Sequence, residues 1–190
     1  MKLTGLIIFA FIPLFLFSQQ EYGIHDLKTG KFKTDTSYIY QLPFSKQKKV
    51  FLIQAYESNL SHKGEIALDF KIKKGTKICA AREGTVIAAR GDSDKGGLKP
   101  ENLSDGNFIS IQHSDGSVAH YWHLQKEGVL VKVGDIVTKG QLIGLSGNTG
   151  YSAFPHLHFE VNQNGKQIPT RFQTKKGAKY LRPSKFYRAV

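Results

Sequence analysis

Pro155-His156-Leu157-His158-Phe159-Glu160-Val161 is the stretch on which the reading of this chain turns. Its β-favouring residues predict a strand. Side chains alternate along a strand, so His156 and His158 project from one face while Leu157 and Phe159 enter the core. Two neutral imidazoles side by side suit a transition metal, most often zinc. The plainer reading is a pair of solvent-facing histidines on an edge strand. A His-x-His pair alone does not separate the two, but the residues upstream do.

Lys49 to Ala55 is β-branched and aromatic enough to be a strand. In Ser61-His62-Lys63-Gly64-Glu65-Ile66-Ala67-Leu68-Asp69-Phe70, the apolar Ile66, Leu68 and Phe70 alternate with Ala67 and Asp69. Asp69 therefore lies opposite the core-forming side chains. A carboxylate there is costly to bury unless a cation or hydrogen-bond donors meet it. His62 precedes this strand across a short turn containing Gly64. The plainer reading of Asp69 is a turn-stabilising group.

A phrase of short strands broken by glycine turns runs from Ile72 to Arg90 and returns from Val131 to Gly144. It also occurs in lipoyl-type and biotinyl-type carriers, but no exposed lysine sits at a hairpin tip here. Between the two copies, Gly91 to Asn107 reads as a long loop and a wall of a binding groove. Phe108 to His113 and Ser117 to His123 flank the turn Ser114-Asp115-Gly116, a hairpin signal. Strict alternation puts Ala119, Tyr121 and His123 on one face, where Tyr121 either donates a hydrogen bond beside His123 or serves as a core aromatic. Val118, His120 and Trp122 take the other face. His113 reads as a surface residue, and His25 as structural or solvated. Nowhere is a period of 3.6 residues sustained, so the chain is all-β.

At 190 residues there is room for one domain with short extensions. Residues 1–18 read as a signal peptide: Lys2, an apolar run from Leu3 to Phe17, then Ser18. The run is short for a membrane span, which leaves no transmembrane segment in the mature form; an uncleaved anchor is the alternative. Export to the periplasm or the extracellular wall follows. Residues 19–48 form an N-terminal arm, and the catalytic unit is expected over 49–164. The single Cys79 reads as a small buried hydrophobe. Net charge is +12, and the extension 165–190 holds eight Lys and Arg with no Asp or Glu. Such an exported protein expects an anionic envelope surface, and export argues against nucleic acid.

Four separated pieces stand in one order: His62 with Asp69, then Tyr121-Trp122-His123-Leu124, then Ser146-Gly147-Asn148-Thr149-Gly150, then His156-Leu157-His158. This set resembles the lysostaphin/LytM-type zinc metallopeptidases, which cut peptide bonds in bacterial peptidoglycan. The resemblance covers roughly Val50 to Val161. It implies a compact, mainly antiparallel β fold with an open groove. It also implies zinc held by His62, Asp69 and His158, with His123 and His156 as catalytic residues that do not hold the metal. Six residues separate His62 from Asp69, where the best-known members have three. Two histidines and one carboxylate would leave a net +1 on the zinc, which polarises a carbonyl and acidifies a bound water. There is no HExxH, so proton transfer and oxyanion stabilisation fall to His123 and His156. The alternatives are a non-catalytic wall-binding domain that regulates other hydrolases, and a zinc peptidase aimed at proteins.

Overall fold

The structure, a computed structural model, describes residues 38–58 and 61–190. The apolar leader, His25 and most of the arm lie outside them. In chain order the strands begin β1 (Ile39–Tyr40), β2 (Lys49–Gln54), β3 (Ala67–Lys71), β4 (Lys77–Cys79) and β5 (Gly84–Arg90). They continue β6 (Gly96–Gly97), β7 (Asn107–Gln112), β8 (Val118–Val129), β9 (Ile136–Val137), β10 (Leu142–Ser146) and β11 (Gly150–Tyr151). The last are β12 (His156–Gln163), β13 (Lys166–Gln167), β14 (Arg171–Thr174), β15 (Gly177–Lys179) and β16 (Lys185–Arg188). The only helical piece among the described residues is the short 3-10 turn Pro100–Asp105, and no helix there could cross a membrane. The fold is all-β, as periodicity predicts.

The main sheet is open and antiparallel, in the order β16-β2-β3-β12-β8-β7-β5-β9. Register places Leu68, Phe159, Tyr121 and Ile109 side by side across four strands, all of them buried. Each such side chain contributes about 1.5–3 kcal/mol by leaving water, so this row holds the strands in alignment. One residue along, the opposite face carries a second row: Gln54, Asp69, His158, Trp122 and Phe108. A one-residue slip would exchange the two rows, so the apolar face fixes which polar groups meet.

The two copies of the glycine phrase pair with each other. β4 of the first lies against β10 of the second, and β5 against β9. Gly75 and Gly134, the turn glycines of the two copies, have φ of 78° and 93°, in the region glycine tolerates best. Gly91 to Asn107 is not structureless. It contains β6 and the 3-10 turn, and β6 runs parallel to β11. The basic C-terminal residues also join the fold: β16 extends the main sheet beside β2, and Phe172 and Leu181 are fully buried. The described end of the arm does likewise, burying Tyr40, Leu42 and Phe44. Cys79 is buried, as its apolar neighbours suggest.

Candidate active site

The second row builds the site. Asp69, in the middle of β3, is buried. His158 lies directly opposite on β12, with Nδ1 3.0 Å from Asp69 Oδ1. His62 comes from the turn before β3 and places Nε2 3.2 Å from Asp69 Oδ2. Gln54 Nε2 donates to the same oxygen at 2.6 Å and fixes the carboxylate plane. Burial opposes charge on Asp69, yet the neighbouring His158 and His62 rings outweigh it and hold the carboxyl well below its usual range.

His62 Nδ1 lies 3.1 Å from the Ala67 carbonyl and 3.3 Å from the Ala55 carbonyl, so the ring proton belongs there. The Nε2 lone pair then faces a carboxylate oxygen, a repulsive arrangement unless a cation or proton lies between them. Two donors on a tetrahedral zinc, each at about 2.0–2.1 Å, stand about 3.3 Å apart. His62 Nε2 and His158 Nδ1 stand at about that spacing from the two Asp69 oxygens, 3.2 and 3.0 Å, and within 4.8 Å of each other, so this donor set fits zinc. The carbonyls behind His62 are the partners that orient a ligating imidazole.

His123 reaches the site by a break in the pleat. β7 pairs Phe108 with Trp122 and Asn107 with Leu124, leaving His123 as an extra residue with φ of 63°. This bulge turns its ring out of the Tyr121 face and onto His156, at 4.6 Å between centroids. His123 Nδ1 donates to the Thr149 carbonyl at 2.7 Å, which leaves Nε2 as the open nitrogen. His156 Nδ1 donates to the Phe154 carbonyl at 2.8 Å, and its Nε2 stands 3.6 Å from Asp69 Oδ1. Burial, with His156 and His158 adjacent, pushes His123 down to about 3, and burial lowers His156 as well. His123 is therefore a neutral base at neutral pH.

Ser146-Gly147-Asn148-Thr149-Gly150 is the cradle for that histidine. Thr149 Oγ1 donates to the Leu124 carbonyl at 2.7 Å, and the Asn107 N–H donates to Thr149 Oγ1 at 3.0 Å. Gly150 has φ of 79°, and an added Cβ would stand 2.8 Å from the Gly106 backbone. Gly150→Ala should thus shift the Thr149 carbonyl. The expected outcome is retained metal, a lower melting temperature, and turnover reduced about tenfold or more, since misplacing a catalytic group by 1 Å costs up to about 100-fold. Unchanged steady-state rates would show that the cradle does not govern His123.

Residues 61–170 match Peptidase family M23. The chain belongs to that family. Among its relatives, the peptidoglycan DD-endopeptidase ShyA of Vibrio cholerae is 37% identical over 100 residues, 53% of this chain and 20% of that protein. Lysostaphin of Staphylococcus simulans is 42% identical over 93 residues, 49% of this chain and 17% of that protein. The chain spans about a fifth of the length of these relatives. A zinc-containing peptidase from Vibrio cholerae superposes with a TM-score of 0.51 at 26% identity, over 68% of this chain and 38% of that one.

In this M23 chain all five residues singled out from sequence, His62, Asp69, His123, His156 and His158, come together. Two other expectations are corrected. Tyr121 does not accompany His123; it is fully buried, and its hydroxyl accepts the Ala81 N–H at 2.8 Å. His113 is not on the surface but buried against Tyr40, with Nδ1 on the Glu83 carbonyl at 2.7 Å. The loop from Gly91 docks through β6 on β11, beside Thr149.

Sequence reasoning missed Glu65. Its carboxylate and the nitrogens of His62 and His158 all lie within 4.8 Å of one another. The turn that carries it is tied down: the Glu65 N–H donates to the His62 carbonyl at 3.0 Å, and Gly64 takes φ of 78°. The Gly64 N–H donates to the Glu57 carboxylate at 2.9 Å, and the Glu57 N–H to the Glu65 carbonyl at 2.9 Å. The available signal was the long His62–Asp69 spacing, which leaves room for a carboxylate between the two.

Proposed function

We propose that this chain is a zinc-dependent endopeptidase that hydrolyses peptide bonds in bacterial peptidoglycan, in cross-links or stem peptides. The observation that carries it is the convergence of His62 and His158 nitrogens, at 3.2 and 3.0 Å, on one buried carboxylate, with two further histidines beside them. Likeness to a peptidoglycan DD-endopeptidase supports the substrate class. The apolar leader read from Leu3 to Phe17 supports an envelope location.

Zinc bound by His62, Asp69 and His158 supplies a Lewis acid that polarises the scissile carbonyl and lowers the pKa of a water. The remaining work belongs to side chains. His123 and His156 each have Nδ1 committed to a backbone carbonyl and present Nε2 as proton acceptor. One Nε2 takes the proton as water attacks; its new N–H then faces the developing oxyanion and returns the proton to the leaving amine. Gln54 holds the Asp69 carboxylate oriented throughout.

Digesting purified peptidoglycan and weighing the products by mass spectrometry tests this reading. New free amines at one peptide position are the expected result. Zinc-loaded protein that binds the wall and releases nothing would identify a non-catalytic wall-binding domain instead. Cleavage of casein or elastin-like substrates alone would move the substrate to proteins.

Glu65 puts a second carboxylate at the same centre. Glu65→Gln should weaken zinc binding about 10- to 100-fold in chelator competition, the usual effect of removing a supporting group around a metal. Affinity equal to the parent protein would remove Glu65 from the site.

A further inference from the structure

The C-terminal strands line a half-open cavity of about 780 Å³ between β14–β15 and β16. Seven of its twelve lining residues are Lys or Arg, and none is Asp or Glu. Among the described residues, no salt bridge involves Lys175, Lys176, Lys179, Arg182, Lys185 or Arg188. Arg188 instead donates to the Gln47 carbonyl at 2.9 Å. Lys175, Lys176, Arg182 and Lys185 are exposed. A sphere of this volume is about 11 Å across, comparable with the Debye length of about 8 Å at physiological salt. The cations on its walls therefore repel one another, and an anion bound among them relieves that repulsion.

The cavity also has rings. Phe186 is 62% exposed, Lys49 Nζ sits 4.4 Å from its centroid, and Tyr187 lines the wall nearby. An exposed ring among cations suits a sugar with charged substituents, stacked on its apolar face and held by its anionic groups. A bilayer is the poorer fit, because Phe186 is the only exposed large hydrophobic residue on these walls and membrane insertion needs a broad apolar face. We propose that this cavity is a binding site for an anionic polysaccharide of the envelope, separate from the peptidase centre. The envelope source rests on the peptidoglycan reading above, whereas the cavity and its charge do not.

Three full-length proteins test it: the parent, a cavity variant (Lys175→Gln, Lys176→Gln, Arg182→Gln, Lys185→Gln), and a control losing the same charge elsewhere (Lys46→Gln, Lys74→Gln, Lys77→Gln, Lys132→Gln). Fluorescence anisotropy with labelled dextran sulfate, at fixed salt, should show at least a tenfold loss for the cavity variant, about 1.4 kcal/mol. The control should change by less than about threefold, as scattered exposed charges contribute little each. Phe186→Ala should weaken dextran sulfate but not inorganic polyphosphate, which has no ring to stack. Hydrolysis of a short soluble peptide should be the same in all of them. Should the cavity variant melt early, Lys175→Gln/Lys176→Gln alone, in the exposed turn after β14, carries the same comparison. Equal losses in cavity variant and control would reduce the effect to net charge and overturn the site. Tighter binding of a single-stranded oligonucleotide, or of phosphatidylglycerol vesicles, than of dextran sulfate would overturn the polysaccharide assignment. Absence of peptidase activity with cavity binding intact would sink only the catalytic reading.

Discussion

His158→Ala is expected to empty the metal site and abolish turnover together. The parent protein, purified without chelators, should hold about one equivalent of zinc, because a preformed three-ligand site binds this ion strongly. In the proposed site His158 would supply one of three donors, and its Nδ1 stands 3.0 Å from Asp69 Oδ1. Removing it leaves two donors and an uncompensated buried carboxylate, so dialysed protein should retain less than about a tenth of an equivalent. Activity should fall about 10⁴-fold or more, since both the polarised carbonyl and the acidified water disappear with the ion. The β12 strand should survive, because Leu157 and Phe159 point the other way and stay buried. Elemental analysis and a melting curve on the same sample separate these effects. Full zinc in a folded variant would show that another side chain completes the site, with Glu65 and His156 the nearest candidates.

His123→Ala and His156→Ala should behave oppositely: metal kept, fold kept, chemistry lost. Each ring is anchored through Nδ1 on a main-chain carbonyl, Thr149 and Phe154 respectively, and each presents Nε2 to the centre. Losing one acid–base or oxyanion group costs about 10²–10⁴ in kcat. The double variant should be scarcely worse than the poorer single one, because groups that act on one proton are not additive. Near-parental turnover in either single variant removes that histidine from the mechanism. Zinc lost from His156→Ala would make it a ligand, which its 3.6 Å approach to Asp69 makes the outcome to watch.

Much of this site is legible in the sequence because alternation along a strand is a local property. The period of two puts His156 and His158 on one side of β12 and Leu157 and Phe159 on the other, and it isolates Asp69 from the apolar side of β3. Both placements hold in the fold. The all-β class follows from the same pattern, and the order of the four motif pieces points to the family. What local rules cannot supply is a departure from alternation. His123 should share a face with Tyr121, and does not, because pairing with β7 leaves one residue of β8 over and the bulge absorbs it at positive φ. That register depends on Asn107, whose amide donates to the carbonyls of Ser93 and Leu124, residues distant in the chain.

The same distinction explains the other differences. A histidine beside a turn normally faces water, but His113 is covered by Tyr40, more than seventy positions away, which only the completed fold brings there. From sequence the basic tail is either an extension or a piece that completes the β fold, and β16 hydrogen-bonded to β2 with Leu181 in the core decides for the second. Composition sets the charge of that segment; only the folding back of β14 to β16 gathers the charge around a single cavity. Glu65 follows the same logic, since its distance from His158 is set by the β3–β12 pairing across ninety residues and not by its neighbours in the chain. The sequence by itself thus determined the all-β class, the faces of β3 and β12, and the family. Tertiary structure decided which way His123 points, what accompanies it, and where the cations converge, because bulges, burial and long-range register are set by partners that local periodicity does not contain.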